Sequence, residues 1–433
     1  MPQPKSTQVN KPFLADFLWG AATAAQQVEG GLDNDWSAWE TSVSKELASG
    51  AKARLKGVVP DWDAIKEEAE DTNNYVSRKS ADHYNRYEED FDLLKSIGCN
   101  SYRFSIEWSR IEPKRGEYDS KALDHYEAMV DALIERSIKP MITLHHFTNP
   151  TWLEEYGGWH GENIVDIFTN FSEVVARRLA NKVDYWCTIN EPGSYLLQRY
   201  LGGGAWPEWP KIEMNPVRGY SYIKNVVKTH KESRRVIKNT NPGAKVGIAH
   251  GLIDFQLGRL DPVSWLFKKQ LEFIPDKYIL NRVKHDMDFI GVNYYMRMLV
   301  KASFSHPANW ALKNTGQDIL NDMGWGIYPD GIYNVTQKLN RYNLPLIVTE
   351  NGIPDALDTK RAKFISDHIE ALFRSHKDGA DIRGYFYWSL LDNYEWSEGF
   401  WPKFGLASVD RRTMERTLKP SAQEYSKLIK EYS

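Results

Sequence analysis

Cysteine and long apolar runs are both scarce in this chain of 433 residues. Its 2 cysteines, Cys99 and Cys187, are too few for a disulfide framework, so a small disulfide-stapled fold is excluded and a reducing compartment is favoured. No stretch reaches about 18 apolar residues, which argues against a membrane span. Segment 1–10 is polar and Asp16 interrupts the apolar residues after it, so a signal peptide is not indicated. We therefore expect a cytoplasmic protein with no membrane partner.

An excess of charge of one sign is also missing. The 55 basic and 58 acidic residues leave a net charge of −3, and both signs are interspersed along the chain. A nucleic-acid partner is therefore not expected. The charged stretch from Lys45 to Lys79 is interpreted as a solvated loop or helix inserted after the first strand. The sequence leaves the oligomeric state open.

Aromatic residues, in contrast, are abundant. The chain has 16 Trp, 23 Tyr and 17 Phe, which together make up 13% of it, within otherwise globular proportions of 42% hydrophobic and 26% charged residues. So many flat rings indicate that some of them have a use beyond packing.

Short runs rich in β-branched and aromatic residues alternate with amphipathic helical patterns along the chain. The predicted strands are 17–23, 100–106, 139–145, 183–190, 244–250, 288–295, 344–350 and 382–390. Repeated strand and helix, with strands apolar enough to be buried on both faces, predicts an α/β fold: a single (β/α)8 TIM barrel with long active-face loops. A doubly wound sheet is the alternative, but no GxGxxG motif follows the first strand. We expect residues 11–433 to form one catalytic domain after the polar tail 1–10.

Polar residues end several of these strands, where the strand termini of a barrel form its active face. Glu191 follows the fourth predicted strand and Glu350 ends the seventh. Two carboxyl groups across one pocket are the equipment for glycoside hydrolysis. A nearby arginine would keep one of them ionised as a nucleophile, whereas a desolvated Glu without a cation would stay protonated as an acid. Amide and imidazole groups can bind sugar hydroxyls, and aromatic rings can cover the apolar face of a sugar.

Seven segments, taken in order, resemble the glycoside hydrolase family 1 β-glycosidases. They are FLWGAATAAQQVEG, YRFSIEWSRIEP, TLHHFTNP, TINEP, GVNYY, IVTENG and YWSLLDNYEWSEGFWPKFGL. The resemblance covers nearly the whole chain. It implies a retaining exo-β-glycosidase that acts by double displacement on β-glucosides, and on β-galactosides and β-fucosides, through a covalent glycosyl-enzyme, with transglycosylation as a further outcome. It implies small-molecule β-glycosides or oligosaccharides as partners, and no cofactor or metal.

The same resemblance implies a role for each matched residue. Glu350 would be the nucleophile and Glu191 the general acid/base. Catalysis would be supported by Arg103, Asn293 and Tyr295. The sugar would be bound by Gln27, His146, Asn190, Trp388, Glu395, Trp396 and Phe404, and the leaving group by Trp325.

The third motif departs from the family pattern, which often reads aromatic-His-Trp-Asp. It reads His145, His146, Phe147 and Thr148 here, and Ile353 with Pro354 follows ENG. Both departures lie beside predicted subsites, where they can alter the preferred sugar or leaving group. Adjacent residues on a strand face opposite ways, so the histidine doublet does not predict a metal site.

The tryptophans are predicted to divide into two groups. Besides the sugar-binding rings, a core-packing role is favoured for Trp19, Trp108 and Trp186. Outer-cleft and loop-packing roles are equally favoured for Trp152, Trp206, Trp209 and Trp401.

Three other functions would use a pocket of this kind. A 6-phospho-glycosidase is disfavoured because Glu395 stands where the related phospho-enzymes carry Ser, and its charge would repel a phosphate. A catalytically dead sugar-binding protein is disfavoured because both glutamates are present. A transglycosidase shares every catalytic residue with a hydrolase, so this alternative stays open.

Overall fold

The computed structural model describes residues 13–202, 208–273, 278–301, 311–312, 316 and 318–433, so the predicted tail 1–10 lies outside the described residues. Within them, eight parallel strands close into a barrel. They are β1 (Leu18–Ala22), β2 (Ser101–Ser105), β3 (Lys139–His145), β4 (Tyr185–Asn190), β5 (Lys245–Leu257), β6 (Phe289–Val300), β7 (Leu346–Asn351) and β8 (Ile382–Trp388). Each strand pairs with the next, and β8 pairs with β1. The predicted TIM barrel is confirmed, and the doubly wound sheet is excluded.

The barrel strands are short and are buried on both faces. Every residue of β1, β2 and β7 is buried. The apolar runs predict this, because the interior of the barrel covers one face of each strand and the outer helices cover the other. Strands β5 and β6 are longer than predicted. Their parallel pairing continues to Leu257 and Val300, beyond the end of β4. These two strands therefore extend the wall of the barrel at its active face.

Helices cover the outside of the barrel and fill the connections. In the described ranges, the α-helices of six or more residues are Asp35–Leu55, Trp62–Ala69, His83–Ser96, Ser120–Glu135, Ile164–Leu179, Pro216–Thr240, Pro262–Glu272, Tyr278–Val283, Asp330–Leu339, Arg361–Lys377 and Pro420–Tyr432. The helix Ser120–Glu135 shows the local logic. The Asp119 side chain caps its first turn by accepting hydrogen bonds from Lys121 N and Ala122 N. Its buried residues recur at helical spacing and face the barrel.

The insertion after β1 is more than the solvated segment that its charge predicts. Between Lys45 and Lys79 lie the second half of the helix Asp35–Leu55 and the whole helix Trp62–Ala69, and the segment is tied to the loop after β8. Asn74 Oδ1 accepts a hydrogen bond from Phe400 N at 2.7 Å, and Lys403 Nζ contacts Glu68 Oε1 at 2.6 Å. The insertion therefore supports the loop that carries part of the predicted sugar site.

The two cysteines are buried and free. Burial raises the pKa of both thiols, so Cys99 and Cys187 are inert packing residues. None of the helices in the described ranges is long and apolar enough to cross a lipid bilayer.

Candidate active site

A pocket with about 700 Å³ of empty space, its open mouth included, lies at the carboxyl ends of the barrel strands. The predicted site residues that line it are Gln27, His146, Asn190, Glu191, Asn293, Tyr295, Trp325, Glu350, Trp388, Glu395, Trp396 and Phe404. Arg103 is 1% exposed and contacts the pocket residue Glu350. The structure therefore brings the predicted site residues together, although they come from segments far apart in the chain.

Glu350, near the end of β7, has a donor on each carboxylate oxygen. Arg103 Nη1 donates to Oε1 at 2.5 Å, and the Tyr295 hydroxyl donates to Oε2 at 2.7 Å. Arg103 is itself held by Thr143 Oγ1 and by the carbonyl of Thr349, so its guanidinium cannot turn away. This charge-assisted arrangement is suited to an ionised carboxylate with a fixed orientation.

Glu191, just after β4, accepts hydrogen bonds from neutral groups. Asn293 Nδ2 donates to Oε1 at 2.8 Å, and Ser194 Oγ donates to Oε2 at 2.7 Å. Glu191 is buried, with 7% of the residue exposed. This burial, together with the charge of Glu350, raises the pKa of the Glu191 carboxyl group to about 7. At neutral pH the group can therefore both give and take a proton.

The backbone at this site is locally strained. Glu191 has a φ of 42°, Phe147 of 73° and Trp396 of 49°, all in the left-handed region that non-glycine residues seldom adopt. All three residues line the pocket. Strained residues of this kind concentrate at functional sites, where the surrounding structure holds them.

Asn190 connects the two carboxyl groups to the neighbouring imidazole. Its Oδ1 accepts from Arg103 Nη2 at 2.7 Å and from Asn293 Nδ2 at 3.1 Å, which assigns the amide orientation. Its Nδ2 therefore donates to His146 Nε2 at 3.1 Å. Burial, with Arg103 nearby, holds the pKa of His146 well below its usual range, so the ring is neutral and carries its proton on Nδ1.

Two buried polar atoms of the pocket residues have no hydrogen-bond partner in the described part of the chain. They are Gln27 Oε1 and His146 Nδ1. Gln27 is oriented because its Nε2 donates to Tyr394 O at 2.8 Å and to Glu395 Oε2 at 3.2 Å. A buried polar atom without a partner is costly, so a free acceptor and a free donor here are suited to ligand hydroxyl groups.

Aromatic rings form the rest of the pocket. The His146 ring is near-parallel to Trp388 and Trp396, with centroids 6.0 Å and 6.1 Å away. Trp325 and Phe404 each meet the Tyr295 ring edge-on at 6.4 Å. Flat apolar surfaces beside fixed polar groups are suited to a pyranose, which has apolar C–H faces and a polar rim.

A family model for glycosyl hydrolase family 1 matches residues 9–256 and 263–433 of the chain. The chain belongs to this family. It is thus a retaining O-glycosyl hydrolase, as the sequence predicts.

Relatives and solved structures agree with the family assignment. The chain is 33% identical to β-glucosidase A of Acetivibrio thermocellus, over 96% of this chain and 98% of the relative. It is 31% identical to the 1,4-β-D-glucan glucohydrolase of Thermotoga neapolitana, over 97% and 98%. A β-glycosidase from Pyrococcus horikoshii superposes with a TM-score of 0.84 at 32% identity, over 96% of this chain and 94% of that one. A β-glucosidase from Thermotoga maritima, in complex with glucoimidazole, superposes with a TM-score of 0.82 at 28% identity, over 98% and 100%.

Several pocket residues of this family 1 enzyme escaped the sequence analysis. They are Ser194, Gly251, Leu252, Ile253 and Met296, whereas Phe147 was predicted only to lie beside a subsite. Gly251 directly follows the predicted fifth strand, and a glycine beside a strand often marks a place where another group approaches the backbone closely. A Cβ atom there would lie 2.7 Å from Glu191 Oε2. Ser194 carried no such signal, because its contact depends on the turn after β4.

The four residues of the third motif, in which this enzyme departs from the family pattern, do not all face the pocket. His146 and Phe147 line the pocket. His145 faces away, and its Nε2 contacts Asn149 Oδ1 at 3.0 Å, as strand alternation predicts. Thr148 also faces away, because its hydroxyl donates to Glu107 Oε2 at 2.9 Å. Phe147 is therefore the replaced residue that contributes an apolar surface to the pocket.

The burial of three tryptophans agrees with the core-packing role that the sequence favours for them. The core-packing rings Trp19, Trp108 and Trp186 are buried. Of the undecided rings, Trp209 packs against Phe147 and Trp396, Trp152 donates to Glu112 O, and Trp401 donates to Glu398. These contacts favour loop packing for the three. Trp206 lies outside the described residues.

Proposed function

We propose that this family 1 enzyme is an exo-β-glucosidase in which Glu350 is the nucleophile and Glu191 the general acid/base. The observation that carries the assignment is the unequal surroundings of the two carboxyl groups. Glu350 is paired with Arg103 and Tyr295, whereas Glu191 accepts from neutral donors and has a raised pKa. When the surroundings of two carboxyl groups keep one ionised and the other protonated, the ionised group is assigned as the nucleophile and the protonated group as the acid.

The proposed reaction has two displacements. Glu350 attacks the anomeric carbon from one face while Glu191 protonates the departing oxygen, which forms a covalent glycosyl-enzyme and frees the leaving group. Glu191, now ionised, then takes a proton from water as the water oxygen attacks the anomeric carbon and releases Glu350. Two inversions retain the configuration. The scheme predicts carboxyl groups about 5 to 5.5 Å apart, and a distance near 9 Å would contradict it.

The proposed sugar site is the polar part of the pocket. Gln27 and Glu395 are joined by a hydrogen bond and present oxygens to the pocket, and His146 presents its Nδ1 proton. We propose glucose as the preferred sugar because curated relatives are named β-glucosidases. We also propose that β-galactosides and β-fucosides are accepted, because Gln27 and Glu395 together can bind the hydroxyls at carbons 4 and 6 in either epimer.

Transfer to an acceptor other than water is the second candidate function. A chloroplastic galactolipid galactosyltransferase of Arabidopsis thaliana is 30% identical over 96% of this chain and 72% of the relative. The chain is thus about as similar to this transferase as to the β-glucosidases, so the similarity supports both hydrolysis and transfer. Product analysis with added alcohol or sugar acceptors separates them: a transferase forms new glycosides, and a hydrolase forms free sugar.

The remaining alternatives are disfavoured by charge and composition of the pocket. A phosphate at the sugar position would meet the carboxyl group of Glu395, and a pure binding protein would have no need of two carboxyl groups beside one another. Activity on an aryl glucoside 6-phosphate, with none on the unphosphorylated glucoside, would favour the phosphorylated substrate.

The roles of the two glutamates are tested by adding azide to variants. In Glu350→Gly, azide should attack an activated β-glucoside directly, which gives an α-glucosyl azide after one inversion. In Glu191→Ala, Glu350 still forms the glycosyl-enzyme, so azide should give a β-glucosyl azide after two. Each variant is the control for the other. The same anomer from both variants, or no azide product from either, would contradict the assignment.

We also propose that residues 11–433 form one catalytic domain and that the enzyme works in the cytoplasm on small β-glycosides or oligosaccharides. The domain proposal is supported by the closed barrel, which uses strands from Leu18 to Trp388. Limited proteolysis tests it, since one domain should leave a single stable fragment. Cell fractionation tests the location.

A further inference from the structure

The short helix Pro192–Tyr195 begins directly after Glu191, so Ser194 lies one turn from the carboxyl group. Its hydroxyl is 2.7 Å from Glu191 Oε2, and its side chain lines the pocket. Neither the sequence motifs nor the family resemblance assigns a role to this serine. The contact lies where a proton must pass between the enzyme and the leaving group or water.

The two oxygens of Glu191 have different partners. Asn293 Nδ2 donates to Oε1 at 2.8 Å and to Asn190 Oδ1 at 3.1 Å, which uses both of its hydrogens. A flipped amide would turn its Oδ1 toward Asn190 Oδ1, which Arg103 fixes as an acceptor, so the amide cannot flip. Oε1 is therefore always an acceptor, and the mobile proton belongs on Oε2. The partner of Oε2 is a hydroxyl, which can donate to a carboxylate or accept from a carboxylic acid.

We propose that Ser194 is a positioning residue, whose hydroxyl holds Oε2 of Glu191 as the oxygen that gives and takes the proton. The inference rests on the proposed role of Glu191. When Oε2 has passed its proton to the leaving oxygen, the hydroxyl donates to the new carboxylate and keeps it in place for the water step. No other atom changes its bonds, so the proton balance of the two displacements is unchanged.

Gly251 on β5 makes room for this pair. A Cβ atom at this position would lie 2.7 Å from Glu191 Oε2 and 2.8 Å from Ser194 Oγ, closer than carbon atoms normally come. The residues after Gly251, Leu252 and Ile253, also line the pocket. The carboxyl group and the hydroxyl therefore pack directly against the β5 backbone at Gly251.

The charges around Glu191 come from several strands. They are Glu350 on β7, Arg103 on β2 and the titratable hydroxyl of Tyr295 on β6, with the neutral ring of His146 after β3. Changing Ser194 leaves all of these groups in place. A shift in the pH dependence of a Ser194 variant therefore reports the hydroxyl itself.

The test compares Ser194→Ala, Ser194→Cys and Ser194→Thr by the pH profile of kcat/KM on an alkyl β-glucoside, whose departure needs an acid. Without the Ser194 hydroxyl the carboxylate of Glu191 loses a donor, so the pKa of Glu191 should rise. The fall of kcat/KM at high pH, the basic limb of the profile, should then move toward alkaline pH by roughly half to one unit. The Cys variant keeps the size of the side chain but donates weakly, so it should follow Ala, whereas Thr should restore the limb. Ser42→Ala, which changes an exposed hydroxyl on the helix Asp35–Leu55, is the control.

A second readout uses the leaving group. Ser194→Ala should lower kcat/KM on the alkyl glucoside about 10-fold more than on a dinitrophenyl glucoside, which departs without protonation. The inference would be overturned if the basic limb of the pH profile stayed in place in both Ser194→Ala and Ser194→Cys and if the two substrates lost equal activity. Glu191→Ala separates this outcome from a failure of the proposed function. If Glu191→Ala hydrolyses the alkyl glucoside normally, the role of Glu191 is wrong and the inference falls with it.

Discussion

Gly251→Ala is the substitution for which the structure makes the sharpest prediction. The new methyl group would lie 2.7 Å from both the carboxyl carbon and Oε2 of Glu191, whereas ordinary contacts begin near 3.4 Å. Glu191 must therefore shift by roughly 0.7 Å or turn away from Ser194. A misplacement on the order of 1 Å in a catalytic group can cost about 100-fold in rate. We expect a loss of about that size wherever proton delivery limits the reaction.

The assay is kcat/KM for a series of β-glucosides with leaving groups of increasing basicity. Gly251→Ala should lose about 100-fold on alkyl glucosides and only a few-fold on a dinitrophenyl glucoside, because the latter needs no acid. Gly251 lies in a β-strand, where alanine fits the backbone, so folding should persist. Thermal unfolding and circular dichroism check that it does.

Gly50→Ala is the matched control. Gly50 lies inside the helix Asp35–Leu55, and the nearest atom to its added methyl group is Arg54 Nη1 at 4.0 Å. This change should leave the leaving-group series unaltered and stabilise the fold by up to about 1 kcal/mol through helix propensity. Full activity of Gly251→Ala on every substrate, or an equal loss on all of them, would refute the reasoning from its contact with Glu191.

Three further predictions concern charge and protonation. Tyr295→Phe removes the hydroxyl that donates to Glu350, and loss of a hydrogen bond to a charged group should lower kcat/KM by roughly 10- to 100-fold, measured by steady-state kinetics; unchanged kinetics would contradict it. Burial raises the pKa of Glu191 to about 7, and the proposed acid can act only when protonated, so kcat/KM for alkyl glucosides should fall above about pH 7. A rate that stays level to pH 9 would count against the proposed role. Burial raises the pKa of Glu40 to about 7, so the folded state binds this proton more tightly than the unfolded state does. The free energy of unfolding should therefore fall as pH rises from about 4.5 to about 7. Glu40→Gln keeps an acceptor for Ser77 and should reduce this fall by up to about 3 kcal/mol, measured by denaturant titrations at pH 5 and pH 8; an equal pH dependence in both proteins would disprove the prediction.

Some structural features could not be predicted because their causes lie outside the local pattern. The apolar pattern predicts that the fifth and sixth strands end near residues 250 and 295, but β5 and β6 continue to Leu257 and Val300. Beyond the barrel these two strands pair mainly with each other, and their side chains are a mixture of buried and half-buried residues. The even burial that makes a barrel strand recognisable is lost there.

The insertion from Lys45 to Lys79 shows the same limit. Its charge predicted a solvated segment, and many of its side chains are indeed exposed. Its role as a support depends on contacts such as that of Lys403 with Glu68, which are 335 positions apart in the chain. Such a pairing leaves no mark on local composition.

The sequence by itself determined the barrel and the pair of glutamates, since alternating strands and helices and the motifs TINEP and IVTENG are local patterns. Only the tertiary structure decided how the two carboxyl groups differ. Arg103 reaches Glu350 across 247 positions, and Asn293 reaches Glu191 across 102. Protonation depends on burial, on nearby charge and on the direction of hydrogen bonds, and those are set where distant strands meet at one end of the barrel.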